Sequence, residues 1–159
     1  MRALALALAL AAAGCARGEG DAPAQAAVRT LPVTVTSGGR DHVFRAELAR
    51  TTEEQARGLM YRTDLTPDFA MLFAPYPAAG GGPREASFWM KNTPSPLDII
   101  FIRADGTIAR IAENTTPMSE ASVTSGEPVA AVLEVRGGRT AELGIGEGDT
   151  VRWTLPSGG

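Results

Sequence analysis

Apolar and polar residues alternate over residues 31–36, with Val33 and Val35 on one face, and again over 42–48, with Phe44, Ala46 and Leu48 on one face. Period-two alternation marks a half-buried strand. Ser37-Gly38-Gly39 between the runs supplies a turn, so together they predict a β-hairpin. The period lengthens over 51–61, where Ala56, Leu59 and Met60 form an apolar stripe and predict the main helix. Thr51 with Glu54, or Thr52 with Gln55, has capping-box spacing, and Glu53 precedes Arg57 by four residues, the favourable order for an ion pair. Gly58 falls inside this span. A helical glycine costs about 1 kcal/mol against alanine, which close backbone packing would explain.

Further strands are predicted over 69–74 and 87–91, with a glycine- and proline-rich exposed loop over 75–85 between them. Residues 97–102 are apolar on both faces, and Ala104-Asp105-Gly106-Thr107 turns them into a strand over 108–113. A loop is predicted over 117–127, a buried strand over 129–135, a helical turn over 140–143 and a last strand over 150–155. Seven or eight mostly hairpin-linked strands and little helix predict an α+β, mostly β fold. The expected form is a curled or barrel-like, largely antiparallel sheet with one helix packed across it. It would make a single monomeric domain over 30–155, with a frayed tail at 156–159.

The first residues obey a different pattern. Arg2 is followed by an apolar run to Ala13 and by small residues, the three-part layout of a secretory signal over 1–14. The run is shorter than the roughly 20 residues that span a bilayer. Cys15 follows in Ala12-Ala13-Gly14-Cys15, which resembles the lipobox of bacterial lipoproteins, although leucine is commoner than alanine at the Ala12 position. That resemblance implies lipid attachment at Cys15 and a place on the periplasmic face of a membrane. By the same resemblance, to bacterial sorting rules in which aspartate after the cysteine directs retention, Ala16 favours the outer membrane. The alternative is an ordinary signal peptide with Cys15 incidental. Residues 16–29, rich in alanine, glycine and proline, read as a flexible linker.

Charge and composition narrow the chemistry. The formal charge is −3 and no basic stretch is present, which argues against nucleic acid as a partner. Lys91 is the only lysine, against fourteen arginines, and it adjoins Asn92, one of two asparagines. The bias away from these residue types draws attention to the place that has both. Four segments stand out: Gly58-Leu59-Met60-Tyr61-Arg62, Met71-Leu72-Phe73, Phe88-Trp89-Met90-Lys91-Asn92-Thr93 and Pro96-Leu97-Asp98-Ile99-Ile100-Phe101. With Val132-Leu133-Glu134-Val135 and Gly137-Gly138, they resemble the domain of unknown function 192 family over nearly the whole domain. The resemblance implies a small β-rich fold with a helix, and no activity.

Strand periodicity puts Phe88, Met90 and Asn92 on one face and Trp89, Lys91 and Thr93 on the other. Asp98 and Glu134 are carboxylates among apolar strand residues, and such groups need a partner or a proton. The expectation is that Arg62, Lys91, Asp98 and Glu134 converge on a polar patch walled by Trp89, Met60 and Met90, with Asn92 and Thr93 beside it. Such a patch would bind a small polar, anionic or saccharide ligand. The same charges would serve equally as core ion pairs that fix strand register. A third reading makes Asp98 and Glu134 the carboxylate pair of a glycan hydrolase. A fourth is a purely structural accessory protein. One histidine, His42, and no domain cysteine give no zinc site, and Met60, Met71, Met90 and Met118 read as packing residues, so no metal or cofactor is expected.

Overall fold

In the computed structural model, residues 30–155 are described. The expected signal segment 1–14, Cys15, the linker to residue 29 and the tail 156–159 lie outside them. Alternation produces the first hairpin: β1 (Thr30–Ser37) pairs in register with β2 (Arg40–Ala49), placing Val33 opposite Phe44. Helix α1 (Thr52–Arg57) then carries the chain over to β3 (Phe69–Phe73), which pairs parallel with β2. Next come β4 (Arg84–Phe88), β5 (Leu97–Ile102), β6 (Ile108–Ala112), β7 (Val123–Val129), β8 (Ala131–Arg136), α2 (Arg139–Leu143) and β9 (Thr150–Trp153).

Seven strands form one sheet in the order β6-β5-β8-β3-β2-β1-β9, antiparallel except at β2–β3. Its two edges curl towards each other. Thr107, before β6, bridges Thr150 of β9, and the Ile108 amide donates to the Asp149 carbonyl at 2.8 Å. The concave face holds one core, built on Val33, Phe44, Leu72, Ile100, Leu133 and Val151. The convex face of β3, β5 and β8 holds a second, with Phe73, Ile99, Phe101 and Val132, covered by Ala86 and Met90 and by Leu59 after α1. Strands buried on both faces read as unbroken apolar runs, which is why β3, β5 and β8 stand out in the sequence.

The mostly β, curled architecture is as expected; several boundaries are not. The helix stops at Arg57 because Gly58 leaves helical space with φ +48°, so Gly58 ends the helix and is not inside it. Thr51 caps with Glu54, and the Thr52–Gln55 alternative is not used. Arg57 joins none of the ion pairs among the described residues, so the Glu53–Arg57 pair does not form. The strand expected over 87–91 lies earlier, at β4, and the loop expected over 117–127 contains the start of β7. These two strands make a separate two-stranded sheet, and the described residues hold nine strands in all. The register slips between Glu85 and Ser87, and β7 carries Gly126 and Pro128, residues that ordinarily punctuate loops. Pro128 is tolerated because β7 pairs on one side only.

Candidate functional site: the Glu134 cleft

Glu134 lies in the middle of β8, opposite Met71 of β3 and Ile99 of β5. Its side chain therefore shares the convex face with Val132 and Phe73 in a setting that is otherwise apolar. It is 3% exposed, and its Oε2 has no hydrogen-bond partner. Burial alone pushes its carboxyl up to about 8 from the ordinary 4.5, so the neutral acid is the resting form at neutral pH.

Two chain segments make the walls above it. The first is the end of α1. The Gly58 backbone, at a positive φ open to glycine, turns over the carboxyl, and a Cβ there would stand in contact with it, 3.8 Å from Glu134 Oε2 and 3.4 Å from Phe73 Cζ. The second runs from Phe88 to Thr93. Phe88 packs edge-on against Phe73 at 5.1 Å and Phe101 at 6.0 Å, which fixes the root of that wall. Trp89 is 46% exposed at the mouth, with Lys91 Nζ 5.0 Å from its ring centroid. A cavity of about 30 Å³ remains between the walls, lined by Arg57, Gly58, Phe73, Trp89, Lys91 and Glu134 among others. That is room for one water or one small polar group.

Backbone bonds tie the walls together. The Tyr61 amide donates to the Asn92 carbonyl at 2.8 Å, and the Met118 amide to the Thr93 carbonyl at 3.1 Å. Tyr61, Asn92 and Met118 all have positive φ, at 65°, 54° and 61°. Bulky residues rarely adopt this conformation, and clusters of it mark places where geometry is over-determined. Asn92 further reaches Met60 Sδ through its Nδ2 at 3.9 Å, and buried Thr93 donates from Oγ1 to the Lys91 carbonyl at 3.2 Å. Asn92 and Thr93 are thus braces of the wall. The strict face assignment over 88–93 fails because β4 ends at Phe88: Met90 is buried while Thr93, expected on the opposite face, is buried too.

The expected four-residue convergence does not form. Trp89, Lys91 and Glu134 meet, with Met60 in the wall. Arg62 faces an adjoining open groove of about 440 Å³, on the other side of Gly58 and Met60. There its guanidinium bonds Asp64 at 2.8 Å and Glu47 at 3.0 Å, both of which raise its pKa, and it lies over the Phe69 ring. Asp98 is further away still. In the register Ile99 stands opposite Glu134 while Asp98 stands opposite Val135, so the two carboxylates occupy opposite faces of the sheet. Contrary to the sequence expectation, Asp98 and Glu134 therefore form no carboxylate pair. Asp98 is fully buried, and its oxygens accept from the amides of Asn114, Gly138 and Thr140 and from Thr140 Oγ1, all within 2.9 Å. It anchors α2 and is a structural acceptor.

Arg57 and Gln55, which the sequence marks only as helix-stabilising residues, also line the cavity. The apolar stripe of the helix points at Ala56, Leu59 and Met60 and gives no sign of them. Among the described residues no group of three His, Cys, Asp or Glu is placed to hold a metal ion. No helix among them is long and apolar enough to cross a membrane.

The model of the DUF192 family, described as uncharacterized ACR, matches residues 33–153. A crystal structure of a protein of unknown function from Novosphingobium aromaticivorans DSM 12444 is 48% identical, with a TM-score of 0.73 over 78% of this chain and 85% of that one. A second, from Sinorhizobium meliloti 1021 and described as a proposed transcription regulator, is 43% identical, with a TM-score of 0.72 over 78% and 93%. No curated protein matches the chain significantly.

Proposed function

Because the chain belongs to the DUF192 family, which is described only as uncharacterized, function has to come from the site, and we propose that this domain is a non-catalytic binding module for a small polar ligand held in the Glu134 cleft. One observation carries the reading: a carboxyl 97% removed from solvent, with an unpartnered oxygen, faces a cavity that two tethered loops hold open. A buried polar atom without a partner costs about 1–3 kcal/mol, and a ligand that satisfies it recovers that cost. Lys91 and Arg57 supply cationic donors at the same cavity, and Trp89 supplies an exposed apolar face. Apolar walls with a few placed polar groups are the ordinary make-up of a small-molecule site.

A ligand panel of amino acids, uronic acids and amino sugars, followed by thermal shift, tests this. Binding should weaken in Trp89→Ala and Lys91→Ala chains. A ligand whose stabilisation survives both substitutions would place binding elsewhere. The second carboxylate that hydrolysis of a glycosidic bond requires is not Asp98, which leaves the hydrolase reading without its pair.

We further propose that the domain works outside the cytoplasm on a lipid attached at Cys15, favouring the outer membrane; the support is the leader pattern and the lipobox-like Ala12-Ala13-Gly14-Cys15. Cys15→Ser should abolish acyl labelling and release the protein from membranes. Retention of the substituted chain in the membrane fraction would contradict the anchor. Among its described residues the domain offers no basic surface suited to DNA, although the Sinorhizobium relative is described as a regulator. The chain is acidic, and Arg45, Arg62, Arg103, Arg136, Arg139 and Arg152 are each paired with an acid.

A further inference from the structure

Resting on that reading, we propose that the Glu134 cleft takes a small zwitterion, an amino-carboxylate whose ammonium end meets the Glu134 carboxylate and whose carboxylate end meets Lys91 and Arg57. The cleft is polarised. Its floor offers an acid and no protein donor to the Oε2 atom. The titratable groups that line the same cavity are Arg57 from α1 and Lys91 from the segment after β4, both cations.

Both cations are available. Arg57 makes no ion pair among the described residues. Lys91 touches Glu120 at 3.5 Å, but that carboxylate is 64% exposed, and exposed pairs are weak enough to be exchanged for a ligand. The acids of the neighbouring groove are already engaged: Glu47 with Arg62, and Glu54 in the cap of α1.

Size points the same way. The whole cavity, about 30 Å³, encloses an ammonium group and no sugar ring, so the carboxylate end of the ligand lies at its rim, where Lys91 and Trp89 are partly exposed. A ligand that brought only an acceptor would use the protonated acid as a donor, a task an amide performs at every pH. An ammonium supplies three donors and restores the ionised carboxylate, giving charge-assisted bonds that are shorter and stronger. Binding then drives a proton off Glu134 into solvent, while the ligand keeps its own.

Titration calorimetry on the full-length chain tests the class with a molecular ruler: glycine, β-alanine, 4-aminobutanoate and 6-aminohexanoate, beside the one-ended controls butanoate and butylamine. One chain length should bind at least about tenfold tighter than either control, the worth of one charge-assisted contact. Its affinity should rise towards pH 8, by at most about tenfold per pH unit, because one proton is released. Glu134→Gln should lose at least about tenfold for that ligand, and Lys91→Met should weaken the zwitterion while sparing butylamine. Butanoate binding as well as the zwitterions, with Glu134→Gln unaffected and affinity falling above pH 8, would overturn the class and leave the cleft as an acceptor site. The same holds if no ruler compound binds while a uronic acid binds in a Trp89-dependent manner. Zwitterion binding unchanged in Glu134→Gln, Lys91→Met and Trp89→Ala alike would overturn both the class and the site.

Discussion

At the residue scale, two buried acids with similar sequence surroundings have opposite fates. Asp98 is surrounded by donors, and Glu134 Oε2 has none. The folded Glu134 carboxyl titrates near 8 against 4.5 for the free group. Between those values the folded chain holds a proton that the unfolded chain has lost. Stability therefore falls as pH rises through that window and levels off above it, with a slope approaching about 1.4 kcal/mol per pH unit. Urea denaturation at pH 5, 6.5 and 8 should show this loss in the unaltered chain and its disappearance in Glu134→Gln. Parallel pH profiles for the two chains would contradict the assignment. Asp98→Ala strips an acceptor from three backbone amides and a hydroxyl, and should cost at least about 3 kcal/mol in the same measurement. A loss below about 1 kcal/mol would mean those donors find other partners. The difference between the acids was only half legible in the sequence. Alternation assigned each to its own strand face correctly. Which faces are common to two strands depends on register, and a one-residue offset between Asp98 and the partner of Glu134 separates the pair across the sheet.

At the element scale, α1 matters less for what it buries than for where it stops. None of its six residues is buried. It is held by the reciprocal Thr51–Glu54 cap and by Gln55, whose Nε2 donates to the Ala49 and Pro75 carbonyls. Thr51→Ala should lower stability by about 1 kcal/mol. Gly58→Ala forces a side chain into a φ of +48° beside Phe73 and should cost about 1–3 kcal/mol, read as a drop in melting temperature. Unchanged melting would show that the turn relaxes. The helix looked longer in the sequence because Leu59 and Met60 continue its stripe after the backbone has left helical space. A glycine there is compatible with close packing or with a stop, and only the dihedral distinguishes them. The β7 strand was hidden for a related reason: Gly126 and Pro128 are loop signals that an edge strand tolerates.

At the scale of the whole molecule, the curled sheet separates structure from chemistry. Its concave side is a closed apolar core, with Asp98 on that side fastening α2 to the sheet. Its convex side carries the cleft, where the second core gives way to Glu134 beneath α1 and the Phe88–Thr93 wall. Both the binding reading and the zwitterion class depend on one property of that side: an acid kept from solvent and from protein donors, yet open to a small group. A ¹³C-carboxyl NMR titration of Glu134 in the ligand-free chain measures it directly. A midpoint near 8 is the result predicted. A midpoint near the ordinary 4.5 would mean the carboxyl is already solvated or bonded, and that the cleft offers a ligand nothing to satisfy.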